Sequence, residues 1–232
     1  MARASRKKRK PREERPEKEK IDIENAIFDR QTLLNISSLM RAGVLDSVES
    51  WVAEGKEAVI LRGKKGENDV AVKAFKLETS SFRDRQAYLE KEIKFKNKKE
   101  EVIHFARREF KALSIASQFC HAPKVYGMKG NVIVMDFIGE EGKPYPRLKD
   151  APYLTEQKAG LITNELKELK RNGVVHADVS EYNLLNCPDA LYLIDFGQAV
   201  FKRHPKFEEY YNRDLESLQR IFSRYLKQGK IT

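Results

Sequence analysis

His176-Ala177-Asp178-Val179-Ser180-Glu181-Tyr182-Asn183 and, a little downstream, Asp195-Phe196-Gly197 decide how this chain reads. Six fixed residues, His176, Asp178, Asn183, Asp195, Phe196 and Gly197, would fall into this pattern by chance roughly once in ten thousand chains of this length at average residue usage. The residue types answer a specific chemical demand. Moving a phosphoryl group needs one carboxylate to orient and deprotonate an acceptor hydroxyl, and hard oxygens to hold a divalent cation on the phosphates. Asp178 fits the first role. Asn183 and Asp195 fit the second, each leaving a strand end or tight loop toward one cleft. Gly197 permits the backbone to turn after Asp195. His176 reads as a brace for the loop rather than a proton carrier.

Upstream, residues from about Val48 to Phe75 form three short strand patterns. Gly55 stands in the first turn, Gly63 to Gly66 in the second, and Val70-Ala71-Val72 in the last strand, which predicts an antiparallel meander. Lys73 ends that last apolar run, where a lysine can reach the α- and β-phosphates of a nucleotide. A lone strand lysine is ordinarily solvent-exposed, so its case depends on a partner. Val102, Ala106, Glu109, Leu113 and Ala116 step by four and three, which puts Glu109 on the apolar face of a helix. A carboxylate there is costly unless a cation meets it, and Lys73 supplies one. The turn Ala53-Glu54-Gly55-Lys56-Glu57-Ala58 has one glycine where GxGxxG has three. We read it as a reduced phosphate-covering turn to which Lys56 adds charge.

Outside this centre, Asp29 or Thr32 caps a helix through Leu33, Leu34, Ile36, Leu39 and Met40 that ends at Gly43. Residues 76–100 are densely charged and aperiodic, and predict a mobile insertion. Val132 to Met135 reads as a buried strand running into Asp136-Phe137-Ile138-Gly139. Ala159, Ile162, Leu166 and Leu169 mark a helix stopped at Asn172-Gly173, with the strand Val174-Val175 next. Tyr211, Leu215, Leu218, Phe222 and Tyr225 mark a closing helix. His104, His121 and His204 read as surface or capping residues. Cys120 and Cys187 read as buried, inert thiols, which fits a reducing cytoplasm.

The chain carries 45 Lys and Arg against 35 Asp and Glu, a net charge of +10. Residues 1–20 hold ten basic and four acidic residues without hydrophobic periodicity, so most of the surplus lies in a tail. That tail is read equally as a disordered extension or as an arm contacting RNA. No apolar run reaches the roughly 20 residues of a membrane span, so a membrane partner is not expected.

The organisation that follows is α+β, a bilobal protein-kinase-like fold. It comprises a basic tail (1–20), a helical extension (21–47), a small antiparallel-sheet N-lobe with its insertion (48–135), a hinge (136–139) and a reduced, mainly helical C-lobe (140–232). Two absences qualify the mechanism. Ala177 stands where an arginine would grip an activation-loop phosphate, and no Ala-Pro-Glu follows Gly197. Only 35 residues remain after Gly197, too few for the helical platform on which conventional kinases dock peptides.

Taken together, these residues resemble the RIO family of atypical serine kinases, its type-1 members above all, over about residues 22–226. The distinctive pieces are Gly55-Lys56-Glu57-Ala58, Phe82-Arg83-Asp84-Arg85, Met135-Asp136-Phe137-Ile138-Gly139, Pro146-Arg147-Leu148-Lys149-Asp150 and the His176 to Asn183 loop. The resemblance implies ATP with Mg2+ or Mn2+, adenine bound at the backbone of Asp136 and Ile138 behind Met135, and a role in maturing the small ribosomal subunit or its RNA. It also implies that Asp195 can accept the γ-phosphate itself, so that the enzyme works as an ATPase switch. Ala53 and Glu54 depart from the Ser-Thr that usually precedes Gly-Lys-Glu-Ala. The alternative is a catalytically idle factor that binds pre-ribosomal RNA, against which the intact set of Lys73, Glu109, Asp178, Asn183 and Asp195 argues. A small-molecule phosphotransferase shares the loop pattern but commonly varies the residue at Gly197.

Overall fold

The computed structural model describes residues 29–77 and 83–226, so the basic tail lies outside the described residues. Helix α1 (Arg30–Arg41) starts at Asp29, whose carboxylate accepts from Thr32 N at 3.0 Å and from Thr32 Oγ1 at 2.7 Å. It stops just before Gly43, which adopts a left-handed φ of 67°. Its buried Ile36 and Leu39 lie on a five-stranded antiparallel sheet made of β1 (Ser47–Glu54), β2 (Ala58–Lys65), β3 (Asn68–Phe75), β4 (Val125–Lys129) and β5 (Val132–Asp136), in the order β1-β2-β3-β5-β4. A buried polar knot fixes the helix there. Asn35 donates to Asn131, and Asn131 Nδ2 donates to Thr32 Oγ1 at 2.7 Å and to Phe75 O at 2.6 Å.

Strand β3 is buried on both faces, and its two-residue alternation sorts its side chains. Val70, Val72 and Ala74 join the α1 cluster, while Ala71, Lys73 and Phe75 point the other way, toward the cleft and helix α2 (Lys98–Ala116). Asn97 caps α2 by accepting from Glu100 N at 2.9 Å. The helix therefore begins inside the stretch read as an insertion. Elsewhere in that stretch, among the described residues, Arg83–Tyr88 form a 3-10 turn. His204 Nε2 and Tyr210 Oη both donate to Ala87 O, at 3.0 and 3.2 Å, which ties this N-lobe segment to the C-lobe.

Beyond the hinge, the hairpin β6 (Gly139–Glu140) and β7 (Lys143–Pro144) leads to α3 (Glu156–Arg171), β8 (Val174–Val175), β9 (Leu184–Asn186), β10 (Leu191–Leu193), β11 (Val200–Phe201) and α4 (Phe207–Tyr225). β9 pairs with β10 and β8 with β11, all antiparallel. The second pairing is what assembles the site. His176 follows β8 directly and Asp195-Phe196-Gly197 just precedes β11, so the two motifs become neighbours. The C-lobe core also takes in Ala71 and Met135 from the N-lobe sheet, giving the lobes one apolar seam. No helix among the described residues is long and apolar enough to cross a membrane.

Candidate active site

Lys73 is 7% exposed and Glu109 only 1%. The Lys73 ammonium lies 2.6 Å from Glu109 Oε1 and 3.1 Å from Asp195 Oδ1, so one cation joins β3, α2 and the segment before β11. Burial disfavours the charged ammonium, but the Asp195 and Glu109 carboxylates outweigh it and hold the Lys73 pKa above its ordinary value. Asp195 gains most from the same contact. The Lys73 charge, against the opposing effect of burial, pushes its carboxyl far below the usual range. Asp195 sits at φ 62°, ψ 72°, a left-handed conformation, and its Oδ1 also accepts from Gly197 N at 3.4 Å. Its Oδ2 has no protein partner among the described residues.

The loop from His176 to Asn183 is held from three sides. His176 Nε2 donates to Ile194 O at 3.1 Å, His176 Nδ1 accepts from Asp178 N at 3.2 Å, and the ring stands edge-on to Phe196 at 4.7 Å. Burial lowers its pKa to about 4, so it stays neutral and braces the loop, as the sequence suggests. Asp214 of α4 accepts from Ala177 N at 2.7 Å and Val179 N at 3.2 Å, and Arg213 donates to Ala177 O. These contacts hold Ala177 at a φ of 64°, a costly conformation for alanine, and so set the direction of Asp178. Asp178 Oδ2 accepts from Asn183 Nδ2 at 3.0 Å and Gln198 Nε2 at 3.1 Å. Its pKa is raised, first by burial and then by the Asp195 charge. Asn183 Nδ2 also donates to Asp178 O at 2.9 Å. The Asn183 Oδ1 and Asp195 Oδ2 atoms are therefore left as the hard oxygens that could hold a divalent cation.

Gly55 and Lys56 lie exposed in the turn between β1 and β2, where Gly55 N donates to Ala58 O at 2.8 Å. Lys56 is not drawn into the carboxylate cluster. Its neighbour Glu57 reaches inward instead and pairs with Arg85 of the 3-10 turn. At the hinge, Met135 is buried, and the Asp136 side chain turns away from the cleft to accept from Lys124 N at 2.9 Å and from the Tyr126 hydroxyl. Asp136 can thus offer adenine only main-chain atoms. The Ile138 carbonyl is taken by Tyr145 N at 3.0 Å, which leaves the Ile138 N–H for a ligand.

A family model described as the RIO domain matches residues 57–232. The chain belongs to the RIO family of serine/threonine protein kinases. It is 35% identical over 212 residues to the RIO-type serine/threonine-protein kinase Rio1 of Methanocaldococcus jannaschii, covering 89% of this chain and 73% of that protein. Identity to the Rio1 kinase of Haloferax volcanii is 33% over 213 residues, with the same coverage. Among solved structures, the Rio2 kinase of Chaetomium thermophilum superimposes with a TM-score of 0.63 at 21% identity. That match covers 86% of this chain and 62% of that one, and it supports the bilobal kinase-like fold.

Within this candidate site, Asp214 and Gln198 are absent from the sequence reading, and Glu57 and Arg85 enter it only as members of family-like stretches, without a role. Asp214 had a legible signal, since it is an acid on the buried stripe of α4 formed by Tyr210, Tyr211, Leu218, Ile221 and Tyr225. His204 is buried at 5% rather than superficial, and its Nδ1 accepts from Lys206 N at 3.1 Å to close the turn into α4. Both cysteines are unpaired thiols whose pKa values burial pushes up, Cys120 to about 12 and Cys187 to about 11.

Proposed function

We propose that this chain transfers the γ-phosphoryl group of ATP to a serine hydroxyl or to its own Asp195, and that it acts in the cytoplasm on the maturing small ribosomal subunit. The observation that carries the chemistry is the Lys73 ammonium shared by Glu109 and Asp195, beside a catalytic loop aimed by Asp214. Lys73, kept charged, suits the α- and β-phosphates. Mg2+ or Mn2+ supplies charge neutralisation at the phosphates, and Asn183 Oδ1 and Asp195 Oδ2 are the oxygens that would hold it. With a serine acceptor, the new bond forms between the serine oxygen and Pγ as the bond from Pγ to ADP breaks, and the hydroxyl proton passes to Asp178. With Asp195 as acceptor there is no proton to remove, because the carboxyl is ionised far below neutral pH. A solved Rio2 described as an ADP/Mg2+-phosphoaspartate complex supports the second acceptor.

Helix α4 begins soon after Gly197 and packs Asp214 against the catalytic loop, so the segment between Gly197 and Phe207 is short. That geometry disfavours docking of an extended peptide along an activation segment. The ribosomal role rests on the family likeness and on the +10 net charge, which suits a polyanionic partner. The test is incubation with γ-labelled ATP followed by hydroxylamine, which cleaves acyl phosphates and spares phosphoserine. Hydroxylamine-labile label that maps to the peptide carrying Asp195 identifies it as acceptor, and label that resists and maps to a serine identifies the hydroxyl. A chain that acquires no label and releases no phosphate fails the proposal.

A further inference from the structure

The 3-10 turn Arg83–Tyr88 is anchored at its far end by Ala87 O, as described, and by Arg108 Nη2, which donates to Tyr88 O at 2.8 Å and to Ala199 O at 3.2 Å. A tilted ring contact between Tyr88 and Tyr210, 5.2 Å between centroids, completes the anchor. From this fixed base, Arg85 projects into the cleft. Its side chain is 11% exposed and pairs with Glu57 from the β1–β2 turn. Its guanidinium covers Gly197 so closely that a Cβ on that glycine would lie 2.1 Å from Nη1 and 2.6 Å from both Cζ and Nη2. Any larger residue than glycine at 197 would have to displace it.

Four carboxylates, Glu57, Glu109, Asp178 and Asp195, surround this point; burial raises the pKa of the first three and Lys73 lowers that of Asp195, and in all four the Arg85 charge favours the ionised form. Lys73 is committed to Glu109 and Asp195. Arg85 is then a further cation at the cleft among the described residues, and it stands on the side of Asp195 and Gly197, where transferred charge develops. A guanidinium is always charged and carries a planar fork that matches phosphate oxygens.

We propose that Arg85 is a catalytic residue that binds the terminal phosphate of the nucleotide, delivered from the insertion and held ready by Glu57. This rests on the kinase reading given above. Arg85 makes and breaks no covalent bond. It neutralises charge on the phosphoryl group as the bond to ADP breaks, and Glu57 keeps it from collapsing onto Asp195 when no phosphate is present.

The test measures binding of ADP and of the β,γ-imido analogue of ATP by calorimetry with Mg2+, on the wild-type chain, Arg85→Ala, Arg85→Lys and Glu57→Gln, with ATP turnover in parallel. Arg85→Ala should weaken the analogue at least tenfold, leave ADP within about threefold, and lower kcat by on the order of 10³, the scale of arginines acting on transferring phosphoryl groups. Arg85→Lys should fall between, having charge without the fork. Glu57→Gln should bind the analogue as tightly as wild type or tighter. Equal effects on ADP and the analogue would show a strut for the insertion and overturn the proposal. Tighter analogue binding by Arg85→Ala would show an inhibitory plug and overturn it too. A wild-type chain that does not turn over ATP fails the kinase reading itself, whereas an active wild type with an unaffected Arg85→Ala fails this inference alone.

Discussion

Replacing Lys73 with methionine keeps the length of the side chain and removes its charge, and the structure says where the cost falls. Glu109 loses the 2.6 Å contact to Oε1, and its Oε2 is already buried without a hydrogen-bond partner, so a carboxylate only 1% exposed loses the cation it touches. Breaking one side of a buried pair costs about 3–5 kcal/mol. Asp195 adds little, because its side chain is 45% exposed and can take up water. The cost depends on pH with a definite sign. Burial raises the Glu109 pKa and Lys73 opposes that rise, so removing Lys73 raises it further. A carboxyl raised in the folded state contributes stability that is present below its ordinary value of 4.5 and lost as pH climbs. Urea unfolding followed by circular dichroism should therefore show Lys73→Met close to wild type near pH 5 and most destabilised at pH 8. The melting temperature there should fall by roughly 10 °C, at 2–4 °C per kcal/mol for a domain of this size. Glu109→Leu added to Lys73→Met removes the stranded charge and should recover most of the loss. A penalty under about 1 kcal/mol at both pH values, or a double variant no more stable than the single one, would refute the ion-pair argument.

Asp178→Asn should keep nucleotide affinity in calorimetry while phosphoryl transfer to a hydroxyl drops by on the order of 10²–10⁴, the usual worth of general base catalysis. Asp214, whose carboxyl burial raises from 3.8 to about 7, should lend stability that is full below pH 4 and is lost as pH rises through 7. Subtracting the pH–stability curve of Asp214→Asn from that of wild type should reveal this falling component, and a flat difference would contradict it. The same variant should lose turnover, since its amide replaces an oxygen that accepts from Ala177 N or Val179 N.

The reach of sequence reasoning here followed the range of the interactions involved. Glu109 was legible because helical spacing exposes a misplaced acid at once, and that acid demanded Lys73 on a strand whose alternation sends it to the same side. The loop from His176 to Asn183 was legible because its residue types answer one chemistry at fixed spacing. Asp214 carried the same signal as Glu109, an acid among Tyr211, Leu218 and Ile221, but its partners are main-chain N–H groups, which no side-chain pattern announces. Arg85 and Glu57 stand in stretches that carry the family resemblance, but neither spacing nor periodicity pairs them. Their meeting depends on a charged, aperiodic segment folding back across the cleft, fixed by His204, Tyr210 and Arg108 from three distant elements. Periodicity reports which face of an element is buried, and it is silent about where an aperiodic segment lands.

The central claim is that Lys73, Asp178, Asn183 and Asp195 act on one triphosphate, and Mg2+-dependent ATP turnover by the wild-type chain beside Asp195→Ala tests it most directly. The account predicts measurable turnover that needs the cation and a fall of several orders of magnitude in Asp195→Ala, with the variant still folded by circular dichroism. Turnover by Asp195→Ala near the wild-type rate, or wild-type turnover indifferent to the cation, would contradict it.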